Sequence, residues 1–235
     1  MTAPAPTVLF DFFGTLVHYS ASRTEQGYHR TLAVLHETGV DLSYQGFLDA
    51  WSRASEVHDR LTEADDSEYS MDDVLHTFAG QVASERLLTD PQAQQAVVDT
   101  YLAEWSSPVR PVDGLDALLD AVSRTHRTAV VTNTHHVPFV PDLLARFGLA
   151  DRFEAVVTSV GVGRRKPHPA VYRAALDALG VRAQDCVFVG DTLLPDYVGP
   201  RREGMTAFLL DPDGVHDVPA EHRLATLPDL LDRLS

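Results

Sequence analysis

Five short apolar runs recur along this chain, and each stops at a polar residue or a glycine: Thr7–Asp11, Arg127–Thr132, Glu154–Thr158, Cys186–Gly190 and Thr206–Leu210. They are apolar nearly throughout rather than alternating, which is the pattern of strands buried on both faces of a parallel sheet. Helical patterns separate the last four. Leu115, Leu118, Leu119 and Val122 form one stripe within Asp113–Arg124. Further helices are expected over Pro138–Phe147, Pro169–Leu179 and Tyr197–Glu203. Pro169 sits at a helix start, where a missing N–H costs nothing. Strand–helix alternation of this kind predicts an α/β fold: a Rossmann-like, doubly wound parallel sheet.

Between Val17 and about Ser107 the alternation breaks. This stretch shows no convincing strand. Its helical patterns cover roughly Ser22–Glu37, Ser43–Leu61, Met71–Ala83 and Pro91–Trp105, and Leu35, Phe47, Trp51, Leu75, Phe78 and Val98 lie on their inner faces. The acidic stretch Glu63–Glu68 is expected to be a loop, and Ser106–Pro111 a hinge back into the sheet. The expected organisation is therefore a core of residues 1–17 and 108–235, with an all-helical insertion at 18–107 placed over the sheet end that carries Asp11.

The formal net charge of −15 argues against a nucleic-acid or anionic-membrane partner, which would need basic patches. An anionic ligand would need local cations, amide dipoles or a metal to oppose that field. A chain of 235 residues buries a full core without disulfides, and the single cysteine, Cys186, excludes an intrachain one. Its apolar surroundings suggest a buried thiol. No apolar stretch approaches the roughly 20 residues that span a bilayer. Met1–Pro6 lacks the basic and hydrophobic segments of a signal peptide, so a cytoplasmic location is expected.

Chemistry-bearing residues gather at four strand ends. Asp11 ends the first strand, where open α/β sheets hold ligands. An Asp there often only caps the following turn. The second strand ends in Thr132-Asn133, a hydroxyl and an amide able to donate to an anion. After the third come two glycines and three cations in Gly161-Val-Gly-Arg-Arg-Lys-Pro-His-Pro169. No third glycine follows at the spacing of a dinucleotide fingerprint. The fourth ends in Gly190-Asp191-Thr-Leu-Leu-Pro-Asp196. Asp11, Asp191 and Asp196 would repel one another unless a cation sat among them, and Mg²⁺ suits an all-oxygen set.

In this order the four motifs resemble those of the haloacid dehalogenase superfamily, and the resemblance covers the whole chain. It implies a Rossmann-like core with a helical cap and a small anionic substrate. It implies Asp11 as nucleophile, Thr132 in the hydroxyl position with Asn133 beside it, and Lys166 as the third-motif cation. Mg²⁺ would be held by Asp11, the backbone carbonyl of Phe13, Asp191 and Asp196. The cap would supply substrate contacts, with Tyr19, Tyr28, Tyr44, Phe47, Trp51 and Tyr69 as the reservoir.

The chain departs from the family's phosphatase pattern at Phe13, where an Asp acting as general acid/base is usual. Phe cannot protonate a leaving alkoxide or activate water, help typically worth about 10²–10⁴-fold. That loss would hurt an alkyl phosphate more than an aryl or acyl phosphate. Three readings follow. The first is a Mg²⁺-dependent phosphatase-like enzyme, with His18, His135 and His136 as substitute proton donors. The second is a 2-haloacid dehalogenase, whose halide needs no proton and whose halide contact would come from Arg23 or Arg30. The retained Asp191 argues against it. The third is a non-catalytic anion-binding module. A carbon–phosphorus hydrolase is disfavoured because 18–107 contains no lysine. No Gly-x-Ser-x-Gly elbow and no cysteine cluster is present.

Overall fold

The computed structural model describes residues 6–20 and 27–234. The N-terminal lead-in, the expected helix start at Ser22 and Arg23 lie outside the described residues. The chain divides into two compact units, Met1–His18 with Arg110–Ser235, and Tyr19–Val109.

Among the described residues the first unit carries eight strands: β1 (Thr7–Phe10), β2 (Val17–His18), β3 (Arg110–Pro111), β4 (Arg127–Thr132), β5 (Val156–Thr158), β6 (Cys186–Gly190), β7 (Thr206–Leu210) and β8 (Arg223–Leu224). Six form one sheet in the order β5-β4-β1-β6-β7-β8, parallel throughout. Chain order runs outward from β1 to β5 on one side, then crosses to β6 and runs outward on the other. The strand order thus reverses at β1, and ligands bind at such switch points beyond the carboxyl ends. Phe10 pairs with Val130 and with Val189, so β4 ends two residues and β6 one residue beyond β1, on the same side of the sheet. Val8, Leu9 and Phe10 are fully buried, which is why β1 is apolar without alternation.

Two features escape the sequence reading. β8 is only two residues long, too short to register as an apolar run. The ladder of β2 with β3 joins the residues flanking the 18–107 interruption, and it includes the Arg110-Pro111 expected as a hinge.

The second unit comprises α1 (His29–Glu37), α2 (Tyr44–Thr62), α3 (Met71–Gln81), α4 (Glu85–Thr89) and α5 (Pro91–Trp105). Capping explains most boundaries. Ser43 accepts from Gly46 N–H at 3.1 Å, Ser70 and Asp73 form a capping box, and Asp90 caps the helix that Pro91 opens. α3 stops before the expected Ala83 because that residue takes a left-handed backbone, φ 51°. Ser84 then starts the unexpected α4 by accepting from Leu87 N–H. No described helix is long and apolar enough to cross a membrane.

Aromatic rings fill this unit. Tyr28 stacks on Tyr101 with centroids 4.8 Å apart, and Trp51 lies between Tyr101 and Phe78 at 4.6 and 5.3 Å. Tyr28, Phe47 and Trp51 are buried among these rings, and Tyr69 is buried beside His58. A 3.6-residue apolar stripe cannot distinguish a core aromatic from a pocket aromatic. Tyr19 is exposed and stacks on Trp105.

α1 has no side-chain cap of its own. Buried Glu104 supplies one from α5, accepting from Arg30 N–H and Thr31 N–H at 2.9 Å and from the Thr31 hydroxyl at 2.6 Å. Burial works against the carboxylate, but these donors outweigh it and hold its pKa below the usual value. A depressed carboxylate stabilises the fold above its unfolded value, about 4.3, and the contribution is lost as pH falls through the folded value. Glu104→Gln should therefore cost about 1–3 kcal/mol at pH 7. The gap between its melting temperature and that of the parent should narrow in acid. A gap that is constant with pH would refute the ionised cap.

The remaining helices are α6 (Leu115–Val122), α7 (Phe139–Arg146), α8 (Ser159–Val162), α9 (Pro169–Leu179), α10 (Gly199–Arg202) and α11 (Leu230–Arg233). The stretch expected as a glycine loop after β5 is the turn α8, because Thr158 caps it and Gly163 closes it in a left-handed conformation. The helix expected from Tyr197 begins earlier, in a π-helical turn over Leu193–Val198.

Candidate active site

Asp11 follows β1, Thr132 ends β4 and Asp191 follows β6, so the parallel register puts all three within one residue of each other at the carboxyl edge of the sheet. Phe12-Phe13-Gly14-Thr15 turns the chain back, with the Phe12 carbonyl accepting from Leu16 and Val17 N–H. Gly14 is required here. Its φ is +85°, and a Cβ on it would stand 2.2 Å from Asp191 Oδ2.

Lys166 is the only lysine in the chain, and it is almost wholly buried. Its Nζ donates to Asp11 Oδ1 and to Asp196 Oδ1, both at 2.7 Å. Asn133 fixes its backbone from the end of β4: Lys166 N–H donates to Asn133 Oδ1 at 2.8 Å, and Asn133 Nδ2 donates to the Lys166 carbonyl at 3.1 Å. The amide expected to face an anion is thus engaged with the lysine.

Asp191 and Asp196 lie on the segment leaving β6. Asp196 Oδ2 accepts from Thr192 N–H at 3.0 Å. The Tyr172 hydroxyl, from α9, donates to the Pro195 carbonyl at 2.5 Å and pins the same turn. Gly190 leaves room for the Asp196 side chain, which a Cβ would meet at 2.4 Å. One oxygen from each of Asp11, Asp191 and Asp196 lies within 4.8 Å of the others.

Burial raises the pKa of Asp191, and the charge on Asp11 adds to the rise. Burial also pushes Asp196 up, to about 7, against the pull of Lys166. Burial opposes the charge on Lys166, but Asp11 and Asp196 outweigh it and hold the ammonium above its ordinary range. The cluster carries three carboxylates and one ammonium, a formal charge of −2 (−3 + 1).

A cavity of about 140 Å³ opens on this cluster. Thr132 and Asn133 line it together with Phe13, Thr192 and Pro195. Phe13 is half-buried, with its ring edge-on to Phe12 and stacked on Phe139 of α7 at 6.1 Å. His18, His135, His136, Arg164 and Arg165 are not among its walls. Arg30, in the helical unit, pairs with Glu104 at 3.6 Å. The sequence reading left Thr15, Thr192 and Tyr172 without a role. Thr15 and Thr192 sit inside the quoted motifs, whereas nothing in the sequence marked Tyr172.

A family model described as haloacid dehalogenase-like hydrolase matches residues 5–202. Haloacid dehalogenase-like hydrolase domain-containing protein 3 of Mus musculus is 36% identical over 172 residues, covering 69% of this chain and 66% of that protein. Phosphatase MT3486 of Mycobacterium tuberculosis is 27% identical over 228 residues, 96% of each chain. Among solved structures, a 2-haloacid dehalogenase from Pseudomonas syringae pv. Tomato DC3000 superposes with a TM-score of 0.72 at 22% identity, covering 98% of both chains. That last likeness is one of fold.

Proposed function

The chain belongs to the haloacid dehalogenase-like hydrolases, and on that premise we propose that it is a Mg²⁺-dependent phosphatase for a small phosphorylated metabolite, with the helical unit as its cap. The observation that carries this reading is the facing group of Asp11, Asp191 and Asp196 beside Lys166. Its formal −2 charge and all-oxygen donors fit a hard dication. Asp11, Asp191 and the Phe13 backbone carbonyl would hold the ion. Asp196 is a further ligand, or anchors Lys166 beside it. When bound, Mg²⁺ supplies positive charge against the phosphoryl oxygens and screens Asp11 from its target.

The rest follows from the chain's own groups. Asp11 Oδ1 is taken by Lys166 at 2.7 Å, whereas Oδ2 accepts a longer bond from the Thr15 hydroxyl, at 3.5 Å. Oδ2 is therefore the attacking oxygen. It forms a bond to phosphorus as the bond to the leaving oxygen breaks, giving an aspartyl phosphate that water then hydrolyses. The loose transition state spreads negative charge over the equatorial oxygens. Lys166 and the Thr132 hydroxyl oppose that charge from a buried, fixed setting. Asn133 holds the backbone from which Lys166 projects.

The near-full-length match to a named phosphatase supports this reading. A 2-haloacid dehalogenase is the second reading, favoured by the aromatic Phe13 and opposed by Asp191. The deciding assay sets p-nitrophenyl phosphate hydrolysis beside chloride release from 2-chloropropionate, each with Mg²⁺ and with EDTA. Phosphate release that EDTA abolishes is expected. Metal-independent chloride release would overturn the phosphatase in favour of the dehalogenase, and silence in both would leave a narrow substrate or a binding module.

A further inference from the structure

We propose that the substrate's leaving group is an apolar, weakly basic oxyanion: a phenolate, released from an aryl phosphate monoester without being protonated by the protein. The proposal rests on the phosphatase reading and narrows its substrate class.

Two independent observations converge on it. The first concerns protons. The walls of the cavity offer Asp11, Lys166, Asp191 and Asp196 as titratable groups. Asp11 is the nucleophile, and Lys166 is held between two carboxylates. Asp191 and Asp196 face Asp11 across the dication-sized gap. Among the described walls each of these four is thus engaged, Asp196 with Lys166 and Thr192 N–H, and Phe13 stands there with no proton to give. The second concerns polarity. The Phe13 ring stacks on Phe139. An aromatic wall residue backed by a second ring favours an aromatic group, which gains from offset stacking as well as from burial.

The step balances without another reactant. Asp11 Oδ2 forms the bond to phosphorus, and the P–O bond to the ring breaks with its electron pair on the phenolate oxygen. The phenolate takes its proton from bulk water after departure. In the second half, water adds to phosphorus, the Oδ2–P bond breaks, and the water's proton leaves with phosphate or to solvent.

The test is the dependence of kcat/KM on leaving-group acidity. Aryl phosphates from p-nitrophenyl to phenyl, whose phenol titrates near 10, would be compared with an alkyl phosphate of similar size. A steep fall along the aryl series is expected, with the alkyl ester a further ~10²–10⁴-fold lower. Phe13→Asp should recover much of that alkyl deficit. Phe139→Ala should raise KM several-fold more for phenyl phosphate than for acetyl phosphate. Equal turnover of aryl and alkyl esters by the parent would overturn the inference and leave the phosphatase standing. No phosphate release from any ester would overturn the phosphatase reading itself, and the inference with it.

Discussion

Asp11→Asn should release no phosphate above background from p-nitrophenyl phosphate, a loss of at least about 10³-fold, and should fold as well as the parent or better. The two halves of that expectation have different causes. Turnover is lost because a neutral amide is a poor nucleophile towards phosphorus. The fold survives because the amide oxygen still accepts from Lys166, 2.7 Å away in the parent. Burial and then the Asp11 charge raise the pKa of Asp191, so removing that charge relieves a repulsion the folded state now bears. Paired measurements check both halves: steady-state phosphate release, and thermal unfolding in EDTA at neutral pH. An unchanged rate would eliminate the covalent mechanism. A melting temperature several degrees lower would mean that Asp11 holds the β1 turn together, and its loss of activity would then say little about nucleophilicity.

The sheet was legible in the sequence because its strands are buried on both faces. Burial such as that of Val8, Leu9 and Phe10 demands unbroken apolar runs, and those stand out. β8 did not, since two residues carry no pattern, and neither did α8, whose glycines suggested a loop until Thr158 proved to cap it. The chemistry-bearing residues were legible for a related reason. In an open parallel sheet the residue after a strand stands at the carboxyl edge, so a polar residue closing an apolar run already has an address. Side-chain direction was not legible. Thr132-Asn133 suggested two donors to an anion, but Asn133 is turned onto the Lys166 backbone. The aromatics of 18–107 stood as a reservoir of contacts with no direction assigned, and Tyr28, Phe47 and Trp51 pack on one another. Such choices depend on contacts between residues far apart in sequence, which periodicity does not carry.

Lys166→Met should be the most disruptive single change to the site, costing both stability and rate. The ammonium lies 2.7 Å from two carboxylates, with its side chain only 2% exposed. Removing one partner from a buried ion cluster typically costs about 3–5 kcal/mol, because the charges left behind are uncompensated. Here Asp11 and Asp196 would face each other and Asp191 across an apolar side chain. Catalysis loses a positive charge at the transition state, a loss of about 10²–10³-fold where such a donor is fixed and dry. Lys166→Arg should not restore the rate. A planar guanidinium needs more room than an ammonium clasped by Asp11, Asp196 and the Asn133-anchored backbone. Because no other lysine exists in the chain, its burial can be read directly. Acylation of the side-chain amine, followed by peptide mapping, should be slow in the folded protein and fast after unfolding, with loss of activity tracking modification of this one residue. Rapid acylation of the native protein without loss of activity would place Lys166 outside the chemistry, as would a methionine variant with parental melting temperature and turnover.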